Sequence, residues 1–235
     1  MKIRCRKRLQ LLRQTVMIVD RVTYILEHCA RKHVLHLGCT DWPYTKTKLQ
    51  SGTLLHAYLS RVAASVVGVD MDAEGVACLH KLGFEETFID NVENFHHPNV
   101  CGRRYDVIVA GEIIEHLENP GLFLRSLQKL MQPSTELIIT TINAYCLFRF
   151  LFYLLGNEMV HEDHNYYFSP KVLRKLIIRC GLHIIDFKHY CVGKEIRKLN
   201  PRRIVWLDDI GKTLFPRASD GLIFKARLKS EAGGG

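Results

Sequence analysis

The stretch Tyr105-Asp106-Val107-Ile108-Val109-Ala110-Gly111-Glu112-Ile113-Ile114-Glu115-His116-Leu117 runs from a β-branched apolar core into a glycine, two acids and a histidine. A short apolar run bounded by polar residues reads as a strand of a parallel sheet covered on both faces. Working outward, the same rhythm recurs. His33-Val34-Leu35-His36-Leu37 ends at Gly38, Ser65-Val66-Val67-Gly68-Val69 ends at Asp70, Phe88-Ile89 leads into Asp90-Asn91, and Glu136 to Ile142 ends at Asn143. Helical stretches alternate with these runs. Val16, Val19, Val22, Ile25, Leu26 and Cys29 recur at three- and four-residue spacing and predict an amphipathic helix over Gln14 to Cys29. Further helices are expected from Gly75 to Leu82 and from Leu117 to Met131. A third should follow Ser169-Pro170, a hydroxyl cap and a first-turn proline, and end near Cys180-Gly181. His183–Tyr190 and Gly221–Leu228 alternate well enough to be the last two strands, closing the sheet as an antiparallel pair. The pattern predicts a doubly wound α/β domain.

The chain of 235 residues suits one such domain over 1–230, with a basic tip at 1–13, an insert at 144–168 and a disordered tail at 231–235. Lys and Arg exceed Asp and Glu by nine, which favours an anionic partner such as nucleic acid, phospholipid headgroups or a phosphorylated acceptor. The excess is partly local, in Lys2, Arg4, Arg6, Lys7 and Arg8 and again in Arg197, Lys198, Arg202 and Arg203, and solvated faces are the plainer reading. Eight cysteines without paired spacing read as reduced thiols of a cytoplasmic protein. Arg13, Asp20 and Arg21 interrupt the first apolar stretch, so no secretory signal is expected. The longest apolar run, Ala144 to Gly156, is shorter than the ~20 residues of a membrane span and contains Arg149.

In an open parallel sheet, ligands bind beyond the carboxyl ends of the strands where strand order reverses. Four strand ends carry suitable residues. Gly38 would let the backbone approach a ligand closely. Asp70 can accept hydrogen bonds from a ribose diol, its alternative being a helix cap. Asp90 and Asn91 could read the edge of an adenine ring. Glu112, Glu115 and His116 would share one pocket if a helical turn begins at Glu112.

Together, VLHLGCTDW, VVGVD, YDVIVAGEIIEHLENP and ELIITTIN resemble the successive motifs of class I S-adenosylmethionine-dependent methyltransferases, nearest to the ubiquinone-biosynthesis O-methyltransferases and bacterial small-molecule or glycan methyltransferases. The resemblance covers roughly Val34 to Phe187. It implies a mostly parallel, seven-stranded Rossmann-like sheet with helices on both faces, and S-adenosylmethionine as cofactor. Gly38 matches the glycine under the methionine portion, Asp70 the ribose ligand, and Met71 the residue beside the adenine. Asp90 and Asn91 match the adenine-edge segment, and Ala110 and Gly111 the strand end facing the amino-carboxypropyl group, with Glu112 next to it. Two departures stand out. His36 replaces the usual acid, whose role Asp41 would take over, and Thr40 and Trp42 replace further glycines. Some relatives use an ExxEH segment for a divalent metal. Glu112, Glu115 and His116 fit that spacing, with His161 or His164 as a further ligand and Mg²⁺ or Mn²⁺ as the suited ion. EHL also occurs widely in members that need no metal, so no metal is the expectation.

The expected activity is methyl transfer to oxygen or nitrogen of a small-molecule or glycan-like acceptor, by in-line attack on an aligned methyl group. A hydroxyl acceptor needs a base, for which His164 leads and His116 and Asp163 follow. The alternatives are an RNA methyltransferase with a metal at the ExxEH segment, and a non-catalytic scaffold of the same fold. The apolar stretch Tyr145 to Leu155 is read first as a plain core helix, and otherwise as a lid, an apolar acceptor pocket or a membrane-surface contact.

Overall fold

The computed structural model describes residues 17–158, 161–191 and 214–229. The basic tip, the cluster of Arg197, Lys198, Arg202 and Arg203, and the tail at 231–235 lie outside the described residues.

One sheet joins β1 (Ile18–Asp20), β2 (His33–Leu37), β3 (Ser65–Asp70), β4 (Thr87–Ile89), β5 (Val107–Gly111), β6 (Glu136–Ile142), β7 (Leu182–Cys191) and β8 (Gly221–Leu228). Their spatial order is β1-β7-β8-β6-β5-β2-β3-β4. Only β8 runs antiparallel to its neighbours, β6 and β7, as the alternation of the last two strands led us to expect. Alternate residues of the central strands enter opposite layers. Leu35, Ile108 and Ile139 pack on one side with α6 (Pro120–Gln128) and α8 (Pro170–Arg179), through Phe123, Leu127, Leu173 and Ile177. Val34, Val107 and Ile138 pack on the other with α1 (Arg21–Cys29) and α3 (Leu55–Val62), through Ile25, Leu55 and Leu59. Two buried layers explain why these strands read as continuous apolar runs.

Among the described residues the sheet has eight strands, one more than expected. The additional strand comes from the front of the predicted Gln14–Cys29 helix, which begins only at Arg21. Ile18, Val19 and Asp20 pair in parallel register with His189, Tyr190 and Cys191. The Asp20 carboxylate then accepts from the Thr23 amide at 2.8 Å and caps the helix behind it. Spacing alone did not reveal that the free edge of β7 would claim these residues.

The remaining helices are α2 (Thr45–Gln50), α4 (Ala73–Lys81), α5 (Pro98–Cys101) and α7 (Leu147–Leu154). The stretch read as a core helix is α7, and it is not buried. None of its residues is buried, and Phe150, Leu151, Tyr153 and Leu154 are exposed. Phe148 and Phe152, one turn apart, pack chiefly on each other, with ring centroids 4.6 Å apart. The insert that carries α7 leaves and rejoins the sheet at one point, where Asn143 bridges Phe168 and the Ala144 amide donates to the Phe168 carbonyl. Among the described residues, no helix is long and apolar enough to cross a membrane, and Cys29, Cys39, Cys78, Cys101, Cys146, Cys180 and Cys191 are free thiols.

Candidate active site

The strand order reverses between β2 and β5, so a crevice opens at their carboxyl ends. Leu37 is in register with Val69 on one side and Ala110 on the other, which brings Gly38, Asp70 and Ala110 to one rim. Gly38 adopts φ +67°, a conformation that favours glycine, and its amide donates to the Val69 carbonyl at 2.9 Å. A Cβ there would stand 3.3 Å from Ile113 Cδ1, so the bare backbone passes close beneath the loop after β5.

Thr40 and Trp42 stand where the resemblance led us to expect further glycines. Thr40 donates to the Asp70 carboxylate through its amide (3.0 Å) and its hydroxyl (2.8 Å). Asp70 is not the cap of α4, because Asp72 accepts from the Gly75 amide at 2.9 Å and performs that task. Asp41 sits at φ +53° with its carboxylate paired to Lys48. His36 lies buried, its Nδ1 3.2 Å from His56 Nδ1. Burial pushes His36 well below the ordinary histidine range and His56 down to about 4, so both stay neutral at physiological pH.

At the neighbouring rim, Met71 and Ile89 expose apolar side chains on adjacent strand ends. The Asp90 carboxylate is turned into its own loop, accepting from the amides of Asn91, His96 and His97. Asn91 is exposed, and its side-chain oxygen accepts from the Glu93 amide at 2.9 Å.

The segment after β5 forms a tight turn, not a helix; α6 starts only at Pro120, behind the Asn119 cap. Glu112 and Glu115 therefore point to different surroundings. Glu112, at φ +54°, accepts from the Tyr190 hydroxyl. Burial raises its carboxyl, but the Arg21 guanidinium and the Tyr190 hydroxyl outweigh burial and hold it below the usual carboxylate range. Arg21 donates to Thr140 Oγ1 at 3.2 Å, and its Nη1 would be 3.4 Å from a Cβ built on Gly111. Arg21 and Tyr190 are not among the expected site residues: Arg21 figured as a break in an apolar stretch and Tyr190 as the end of a strand. Their role depends on sheet closure, which brings β7 and the start of α1 to the same rim.

Glu115 is fully buried, with Oε2 accepting from Thr141 Oγ1 at 2.9 Å. Among the described residues its Oε1 has no hydrogen-bond partner, and burial together with the Glu112 charge pushes the carboxyl up to about 7. The returning end of the insert is strapped to this turn. The amides of Asn165 and Tyr166 donate to the Glu115 carbonyl at 2.8 and 3.1 Å, and Asn165 Nδ2 donates to the His116 carbonyl at 2.8 Å. The strap brings Glu115, His116 and His164 together, with one ligand-type atom from each inside a 4.8 Å cluster. His116 Nδ1 lies 3.1 Å from the Asp163 carbonyl, which can only accept, so Nδ1 carries the proton and Nε2 is bare. His164 Nδ1 is buried with no partner among the described residues, and burial pushes this imidazole down to about 4. The Asp163 carboxylate and the His161 ring face each other on the exposed side at 3.5 Å, and Glu112 and His161 stand outside the cluster.

A family model described as a methyltransferase domain matches residues 17–186, well over half of the chain. The chain belongs to the class I S-adenosylmethionine-dependent methyltransferases. This methyltransferase is 37% identical over 131 residues to a ubiquinone biosynthesis O-methyltransferase of Proteus mirabilis (strain HI4320), an alignment covering 52% of this chain and 48% of that protein. It is 27% identical over 195 residues to the enzyme of the same name from Burkholderia orbicola (strain MC0-3), covering 77% and 78%. A solved S-adenosylmethionine-dependent methyltransferase from Mesorhizobium loti superposes with a TM-score of 0.57 at 14% identity, over 88% of this methyltransferase and 95% of that chain. S-adenosylmethionine is thus the methyl donor.

Proposed function

We propose that the methyltransferase transfers a methyl group to a hydroxyl oxygen of a small molecule with an apolar body. The observation that carries this reading is the Glu115–His116–His164 cluster, held by the insert beside the strand end that faces the methyl donor. The ubiquinone biosynthesis O-methyltransferases among its relatives support oxygen as the acceptor atom. The exposed apolar side chains of α7 support an apolar acceptor body.

When bound, the sulfonium donor supplies an electrophilic methyl group, and the protein's work is alignment. Gly38 and Ala110 leave backbone room for the donor's methionine portion. Arg21, lying across Gly111, offers its guanidinium to the carboxylate, while Glu112 offers an acceptor to the ammonium. Asp70 takes the ribose, and Met71 and Ile89 supply apolar faces for the adenine, with Asn91 at its edge. His116 Nε2, bare because Nδ1 is committed to Asp163, receives the acceptor's proton, and His164 stands beside it.

Glu115, His116 and His164 also fit a divalent cation. Among the described residues Glu115 Oε1 and His164 Nδ1 are buried polar atoms with no partner, and one carboxylate with two imidazoles suits an ion that accepts nitrogen ligands, such as Mn²⁺ or Fe²⁺, more than Mg²⁺. Bound there, such an ion would occupy His116 Nε2 and, in place of that base, would lower the pKa of an acceptor hydroxyl.

Transfer of radiolabelled methyl from S-adenosylmethionine to a set of phenols and alcohols, with and without apolar substituents, tests the reading. Label should enter oxygen of the apolar members. Label confined to nitrogen acceptors or to RNA would refute it.

A further inference from the structure

Thr40 is tied directly into the Asp70 carboxylate. Its amide and its hydroxyl both donate to one oxygen of Asp70, Oδ2, at 3.0 and 2.8 Å. Among the described residues the other oxygen, Oδ1, receives only the Asp72 amide, at 3.1 Å. Thr40 is itself pinned. Its carbonyl accepts from the buried Thr45 hydroxyl at 2.6 Å, and its Oγ1 accepts from the Trp42 amide at 3.3 Å. Gly75, in the first turn of α4, leaves the room that this side chain needs. A Cβ on Gly75 would come within 2.7 Å of Thr40 Cβ and 2.8 Å of its Oγ1. The bulk missing at Gly75 matches the bulk present at Thr40.

A carboxylate oxygen has two lone-pair sites. Oδ2 is filled by Thr40, and Oδ1 keeps one site open. We propose that Thr40 is a positioning residue that makes Asp70 an asymmetric ribose receptor, which reads one of the two ribose hydroxyls through Oδ1 instead of both. The inference rests on the donor-binding reading above and adds a selectivity that the carboxylate alone would not have. A second hydroxyl brought to Oδ2 would have to displace the Thr40 hydroxyl, so it contributes little.

Calorimetric titration of the full chain with S-adenosylhomocysteine and its 2′-deoxy and 3′-deoxy analogues tests this. Wild type should bind one deoxy analogue about tenfold or more weakly, the loss of a hydrogen bond to a charged group, and the other nearly as well as the parent. Thr40→Val keeps the branched shape and frees an Oδ2 site, so the second analogue should become weak as well. Thr40→Ser should restore the wild-type pattern. Thr40→Ala supplies the same hydroxyl-free arm if the valine variant does not melt cooperatively. Equal losses for both analogues in wild type, or an unchanged asymmetry in Thr40→Val and Thr40→Ala, would overturn the proposal while leaving donor binding intact. A wild-type protein that binds no S-adenosylhomocysteine would remove the donor-binding reading and this inference together.

Discussion

The Tyr190 hydroxyl donates to the Glu112 carboxylate across the carboxyl end of the sheet, and its ring occupies space that any side chain at Gly221 would fill. Tyr190 and Gly221 are register partners on β7 and β8, and a Cβ at 221 would fall 2.0 Å from Tyr190 Cζ. Gly221→Ala must therefore expel the ring and strip Glu112 of its donor. Overpacking costs about 1–3 kcal/mol, and loss of a hydrogen bond to a charged group a similar amount. Urea unfolding should show a loss of about 2–6 kcal/mol for Gly221→Ala, where both costs fall together, and a smaller one for Tyr190→Phe. An unchanged midpoint for Gly221→Ala would contradict the packing.

Arg21 should discriminate the amino-acid end of the donor. Arg21→Gln should weaken S-adenosylhomocysteine about tenfold or more, the scale of one lost charge-assisted contact. Methylthioadenosine, which lacks both carboxylate and ammonium, should bind the variant and wild type alike. Isothermal titration with the two ligands checks this, and equal losses for both would assign Arg21 a purely structural role.

The cation site predicts Mn²⁺ binding that depends on Glu115 and His164. Changes to mere supporting groups of metal ligands cost about 10- to 100-fold in affinity. Glu115→Gln and His164→Ala should each lose at least that much, read by Mn²⁺ electron paramagnetic resonance. Mn²⁺ affinity unchanged in both variants would remove the cation from the account of the cluster and leave His116 as a base alone.

The buried pair His36 and His56 makes stability fall in acid. Burial holds both imidazoles below their unfolded value, His56 at about 4. Between pH 6.5 and 4 the unfolded chain binds protons that the folded chain refuses, so the stabilisation present above pH 6.5 is lost as pH falls. At pH 5 the His56 share is about 2 kcal/mol. His189, also pushed by burial to about 4, adds in the same direction. Urea unfolding at pH 7 and pH 5 should show a smaller drop for the double variant His36→Leu/His56→Leu than for wild type. An equal drop would place the acid sensitivity elsewhere.

Much of this was legible in the sequence, for identifiable reasons. β2, β3, β5 and β6 are buried on both faces, so their apolar runs stand out, and the residues that end them arrive at one rim whatever the loops do. Strand endings placed Gly38 and Asp70 at that rim, and the family resemblance placed Ala110 beside them. What stayed hidden depends on distant closure. β1 exists because β7 offers a free edge, and Arg21 and Tyr190 reach Glu112 only once β7 and β8 are in place. The turn after Gly111 defeated the helical spacing of Glu112, Glu115 and His116, because Glu112 takes a left-handed conformation that no periodicity rule anticipates. His164 joined Glu115 and His116, and His161 did not, through backbone hydrogen bonds of Asn165 and Tyr166 that leave no pattern in composition. The apolar content of α7 suggested burial, yet the insert leaves it outside both layers.

The most direct measurement is calorimetric titration of S-adenosylhomocysteine into wild type and into Gly38→Val, which puts a branched side chain at φ +67° where the backbone must approach the ligand. Wild type should bind one molecule per chain with measurable heat, and the variant should fold but bind none. Absence of binding to wild type, or undiminished binding to Gly38→Val, would mean that the crevice between β2 and β5 does not hold the methyl donor.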